Sequence, residues 1–187
     1  MFIHIPKTAG RSIRMGVWNG QYEGPFFGKL PEELERYFKF AFVRNPFDRI
    51  CSVHRMFSMG SQNSANYKRS WKPDPNLDLA SILDIVENDS IIFDERRASF
   101  EEIIKHHAIP MTHPFNALDQ ADFVGKYETL ADDWQSICRK INLEYQTLPH
   151  MNFTQSDSEY RDLIDPQIRA RIELIYKNDL ELFGYQY

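Results

Sequence analysis

Twice in its first sixty residues the chain switches within a few positions from a strand-like pattern to a helix-like one, and this limits its fold more than any other feature. Phe2-Ile3-His4-Ile5 is a β-branched and aromatic run closed by Pro6, and it reads as a buried strand. Lys7-Thr8-Ala9-Gly10-Arg11-Ser12 is a small-residue turn, and a helix is expected from about Ser12 to Trp18. The pattern recurs at Phe38–Val43, a second strand, followed by Asn45-Pro46-Phe47-Asp48. Asn is a favoured N-cap, Pro suits the first helical position, and Asp48 can close a capping-box-like pair, so this helix should reach about Ser58. A third strand over Asp122–Tyr127 precedes a helix over Leu130–Ile141. Strands alternating with helices call for a parallel sheet covered on both faces, with ligands at the carboxyl ends of the strands.

The remaining segments are punctuated by turn residues. Residues 19–31 contain Gly20, Gly24, Pro25, Gly28 and Pro31 and read as loop, followed by a short helix over Glu32–Tyr37. Residues 59–76 are rich in Ser, Asn, Gly and Pro and read as an exposed loop. Helices are expected at Leu77–Glu87 and Glu95–His107, a polar loop at 146–158, and a closing helix at Pro166–Leu182. There is no internal repeat and no linker, so residues 1–187 are read as one domain, a size that needs no disulfide or metal to fold.

Charge is unevenly distributed. Residues 1–72 hold twelve Lys and Arg against five acids, a net of +7, which leaves −12 to residues 73–187. A basic third within an acidic chain argues for a local anion site rather than a nucleic-acid surface. Cys51 and Cys138 have no metal-ligand spacing, which points to a reducing compartment. No apolar run approaches the roughly 18 residues of a membrane span, and no signal segment opens the chain, so a cytoplasmic location is expected. No metal cluster is expected.

Two segments carry chemistry. In Ile5-Pro6-Lys7-Thr8-Ala9-Gly10-Arg11-Ser12-Ile13, a strand ends, a glycine turn follows and a helix begins. Backbone N–H groups of such a turn, with Lys7, Thr8, Arg11 and Ser12 as added cationic and hydroxyl donors, can cradle a tetrahedral oxyanion. The order differs from the common nucleotide-binding loop, because Lys7 precedes Gly10 rather than following a second glycine. The second segment is Phe42-Val43-Arg44-Asn45-Pro46-Phe47-Asp48-Arg49-Ile50-Cys51-Ser52. Arg44 lies just past its strand, at the same sheet edge as Lys7. With Ser52, about two turns into the next helix, it can grip one phosphate through a planar fork and a hydroxyl.

Taken together, these segments resemble the sulfotransferases, in particular the carbohydrate-type branch. The likeness continues through Phe123-Val124-Gly125-Lys126-Tyr127-Glu128-Thr129-Leu130, the loop Leu148-Pro149-His150-Met151-Asn152-Phe153-Thr154, and Asp179-Leu180-Glu181-Leu182-Phe183-Gly184-Tyr185. The resemblance implies an α/β fold, a P-loop-like parallel sheet flanked by helices. It implies 3′-phosphoadenosine 5′-phosphosulfate (PAPS) as donor, 3′-phosphoadenosine 5′-phosphate (PAP) as product, and a hydroxyl acceptor of the saccharide class. It places Lys7, Thr8, Ala9, Gly10, Arg11 and Ser12 on the 5′-phosphosulfate and Arg44 and Ser52 on the 3′-phosphate. Asn152 and Thr154 fall in a loop closing on the nucleotide.

Sulfuryl transfer should resemble phosphoryl transfer, with a loose in-line transition state and charge growing on the leaving oxygen, and Lys7 is the residue expected to meet that charge. The chain departs from the family in having Arg11 where threonine is usual, and in lacking a histidine over 19–37. Two bases stay open: Glu23, a carboxylate after the first helix, and His113, in the loop before the third strand. His106 and His107 end a helix, where a cationic ring suits the dipole, and His54 reads as a packed core residue. His4 is expected to support the loop that follows it. Trp18, Tyr22, Phe26, Phe27 and Trp71 are candidates for an acceptor platform. The alternative readings are a nucleotide-binding module without turnover and a nucleotide-dependent phosphotransferase, for which Asp94 is the one weak magnesium candidate.

Overall fold

The computed structural model describes residues 1–18, 30–60, 71–92, 99–149 and 159–187. Of the residues singled out above, Glu23, Tyr22, Phe26, Phe27, Asp94, Asn152 and Thr154 lie outside the described residues, as does the Trp18 side chain. The protein is α/β, with two compact units: Met1–Arg44 with Met111–Met151, and Asn45–Pro110 with Asn152–Tyr187.

The first unit holds a three-stranded parallel sheet in the order β1 (Phe2–Ile3), β2 (Phe40–Val43), β3 (Phe123–Lys126). Phe2 pairs with Phe40, and Phe40 with Phe123, so all three strands end at one rim. Helix α1 (Gly10–Trp18) follows β1, and a helix over Leu130–Lys140 follows β3. Ile13 of the one and Trp134, Ile137 and Cys138 of the other pack with Phe2, Phe40 and Phe42 in a single core. Phe40 and Phe42 stand two residues apart and share a sheet face, which is the face these helices cover. Gly125 sits where β3 passes the Phe42 ring: a Cβ there would come 2.6 Å from Phe42 Cε1.

The second unit is helical. It contains α2 (Pro46–Ser58), α3 (Leu79–Glu87) and α4 (Phe100–Ala108); after α5, the Leu130–Lys140 helix of the sheet unit, come α6 (Glu159–Leu163), α7 (Pro166–Ile175) and α8 (Lys177–Phe183). Its core gathers Phe47, Ile50, Val53 and Phe57 of α2 with Ile82, Leu83, Ile104, Ile172 and Tyr176. Asn45 caps α2 by accepting the Phe47 N–H at 3.1 Å, with Pro46 in the first turn, as expected.

Several boundaries differ from the sequence reading. Strand β1 stops at Ile3 rather than Ile5 because the chain turns, with the Thr8 hydroxyl closing on the Ile5 carbonyl at 2.9 Å. Residues Glu32–Leu34 form one 3-10 turn, not a helix to Tyr37. Helix α4 starts at Phe100, where Ser99 and Glu102 make a reciprocal capping box. The closing helix is broken at Tyr176 (φ −102°, ψ 21°), whose buried hydroxyl donates to the Ala108 carbonyl at 2.6 Å.

The end of α4 corrects a further expectation. Arg49, 1% exposed, supplies the positive charge there: Nη1 donates to Ile109 O at 2.9 Å and Nη2 to His107 O at 2.9 Å. The ring of His106 is therefore not the cation that suits the dipole. Burial, and then the neighbouring Arg49 charge, push its pKa down to about 4, so it is neutral at physiological pH. His107 meets the Ile103 carbonyl through Nδ1 at 2.8 Å, and half-buried His54 meets the Leu77 carbonyl through Nε2 at 2.9 Å.

Candidate functional site

The rim of the sheet unit brings three strand ends together. After β1, the chain enters the Lys7–Ser12 turn. Lys7 and Ala9 both have positive φ, 71° and 70°, whereas Thr8 between them does not. Backbone that alternates hand in this way turns successive N–H groups toward one concavity, the geometry that binds anions. Helix α1 begins inside it, at Gly10, its first bond running from the Ile13 N–H to Ala9 O at 3.2 Å. The end carrying unsatisfied N–H groups thus faces the turn.

Two contacts hold this turn in place. The buried Thr8 hydroxyl donates to Ile5 O, so Thr8 shapes the loop through its side chain, which corrects the expectation that its hydroxyl is a donor to the ligand. The His4 imidazole lies against Gly10, leaving no room for a side chain there. His4 supports the loop, as expected. Ser12 is 5% exposed on the first turn of α1, and Lys7 and Arg11 are half-buried.

After β2 comes Arg44, 3% exposed. Its Nη1 donates to the Lys7 carbonyl at 3.3 Å, so the arginine and the lysine loop meet at the same rim. Its backbone N–H points at the Met111 sulfur at 3.4 Å. Its guanidinium carbon lies 4.1 Å from the ring centroid of Tyr127, the first residue after β3. Val43 pairs with Lys126, and that register delivers Arg44 and Tyr127 side by side. Asp133 fixes the junction: its Oδ2 accepts the Lys126 N–H at 2.8 Å and the Thr129 hydroxyl at 2.6 Å.

Ser52 is buried on α2, in the second unit. His113 is exposed and caps a 3-10 turn, its Nδ1 accepting the Phe115 N–H at 3.2 Å. A neutral imidazole that accepts at Nδ1 carries its proton on Nε2. Among the described residues no group of His, Cys, Asp and Glu is placed to hold a metal ion, and no helix is long and apolar enough to cross a membrane. Cys51 and Cys138 are buried free thiols.

Sequence reasoning assigned no role to Tyr127, Met111 or Asp133. Tyr127 had a readable signal, an aromatic closing the expected third strand, at the rim where Arg44 follows the second. The other two contacts depend on side-chain placement that no spacing records.

The Sulfotransferase family profile matches residues 20–186, a span that starts beyond the Lys7–Ser12 turn. Carbohydrate sulfotransferase 12 of Xenopus laevis is 26% identical over 174 residues, covering 82% of this chain and 41% of that protein. Carbohydrate sulfotransferase 11 of Rattus norvegicus is 26% identical over 183 residues, covering 88% of this chain and 51% of its own length. The chain thus spans about half the length, or less, of these curated relatives. No solved structure gives a significant match.

Proposed function

Because the chain belongs to the sulfotransferase family, we propose that it moves a sulfuryl group from PAPS to a hydroxyl, releasing PAP, with a saccharide as acceptor. The observation that carries this reading is the contact between Arg44 and the Lys7 carbonyl, which joins a loop of anion-binding geometry to a buried arginine at one rim. The printed names of the relatives, both carbohydrate sulfotransferases, support the acceptor class. The chemistry of the rim supports this donor: a turn whose backbone alternates hand offers N–H groups and a lysine to a phosphosulfate, and a guanidinium suits a second phosphate.

In this reading the acceptor oxygen attacks sulfur, its bond to sulfur forming as the bond from sulfur to the bridging phosphate oxygen breaks. Negative charge grows on that bridging oxygen, where Lys7 and the turn N–H groups of Thr8 to Ser12 stabilise it. Arg44 serves the 3′-phosphate. The roles of Ser52, Asn152 and Thr154 rest on sequence likeness alone. The acceptor proton must pass to a base. Glu23 and His113 are the two candidates.

Ligand-linked stability tests the donor. PAP at a hundredfold excess over its Kd should stabilise the protein by about 2.7 kcal/mol in urea melts. Stabilisation by ATP with magnesium, and none by PAP, would overturn the reading in favour of a phosphotransferase.

A further inference from the structure

We propose that Tyr127 and Arg44 form a clasp that sets the backbone of Lys7, making Tyr127 a positioning residue for the 5′-phosphosulfate loop. This rests on the PAPS reading above and gives Arg44 a task beyond binding a 3′-phosphate. Three observations converge on it. Lys7 adopts φ 71°, a left-handed conformation that a non-glycine residue keeps only where its surroundings impose it. The Arg44 Nη1 donates to the carbonyl of that same residue, and so acts on the peptide plane that follows Lys7. Arg44 in turn lies with its guanidinium carbon 4.1 Å over the Tyr127 ring, a stack that fixes the plane in which a guanidinium presents its N–H groups.

The outer end of the chain of contacts is itself anchored. Tyr127 opens a single 3-10 turn between β3 and α5, and Asp133 clamps both sides of it through the Lys126 N–H and the Thr129 hydroxyl. Position therefore passes from α5 through Tyr127 and Arg44 to Lys7, from the third strand end to the first. A consequence separates this from simple ligand binding. An arginine that served only the 3′-phosphate would not affect a ligand lacking one. An arginine that sets the Lys7 backbone would.

The test uses inorganic pyrophosphate, which has neither base nor 3′-phosphate, alongside PAP, with affinities measured by calorimetry on the full chain. Tyr127→Leu should weaken pyrophosphate binding by about tenfold, the scale of one lost charge-assisted contact. Tyr127→Phe, which keeps the stacking face, should restore it. Arg44→Lys, which keeps the charge but loses the flat fork, should show the same loss and guards against a Leu variant that folds poorly. Combining it with Tyr127→Leu should add little, because both changes break one clasp. Pyrophosphate affinity unchanged in Tyr127→Leu and Arg44→Lys, with PAP binding weakened, would overturn the clasp and leave the donor reading standing. A wild-type chain that binds neither ligand would overturn both.

Discussion

The imidazole of His4 occupies the space that a side chain at Gly10 would need: a Cβ built there comes 2.0 Å from His4 Cδ2 and 2.1 Å from Nε2. Gly10 is also the first residue of α1, so the contact fixes where the helix begins relative to the strand that precedes it. Gly10→Ala should cost about 1–3 kcal/mol despite the better helix propensity of alanine, because the new methyl overlaps the ring. His4→Ala in the same chain should recover most of that loss. Urea denaturation of the four members of this double-mutant cycle measures the coupling, and simple additivity would refute the steric account.

Lys7→Ala should leave the fold intact and reduce sulfuryl transfer by about 10²–10³-fold, the usual cost of one lost donor at a developing oxyanion. Lys7→Gly sharpens the point. Glycine accepts φ 71° without the steric cost that lysine meets, so its stability should stay within about 1 kcal/mol of wild type while transfer is lost. Single-turnover transfer from PAPS, read beside a melt of each variant, checks both. Transfer that survives in Lys7→Ala would remove this lysine from the reaction.

His106 predicts an acid-side loss of stability. The unfolded imidazole takes up its proton near pH 6.5, whereas the folded one resists until about pH 4. Between these values the unfolded chain binds more protons, so stability is fully present above about pH 6.5 and falls as pH drops toward 4. The contribution is about 3 kcal/mol at full extent. His106→Gln should flatten that part of the pH profile, and an unchanged slope in urea melts between pH 6.5 and 4 would show that the ring is not the source.

Tyr176→Phe removes the hydroxyl that reaches Ala108 O and should cost about 1 kcal/mol. Arg49→Met should cost more, about 3 kcal/mol, since it leaves the buried carbonyls at the end of α4 without their donor. Thermal melts of the two variants give the order directly.

Those features of the site that follow from local chain logic were legible in the sequence. Lys7 and Arg44 share a rim because each directly follows a strand of one parallel sheet, and strand ends are readable from residue pattern. Asn45-Pro46 announced α2 for the same reason: a cap and a fixed φ are properties of two adjacent residues. What was not legible depends on contacts distant in sequence. The break at Tyr176 follows a hydrogen bond to Ala108, 68 residues away. His106 reads as a helix-end cation until Arg49, from another helix, is found to have taken that role. Thr8 reads as a ligand donor until its proton is seen to serve Ile5, a choice between two nearby acceptors that composition cannot rank.

The sheet unit is assembled from two stretches of chain, since β2 precedes and β3 follows the segment Asn45–Pro110. A ribosome must therefore deliver that whole intervening stretch before the third strand exists to pair with the second. Until then Arg44 has no aromatic face to rest on, and the long separation makes this pairing an intrinsically slow step of folding. The nascent chain consequently completes the rim that carries Lys7, Arg44 and Tyr127 only after that stretch has emerged.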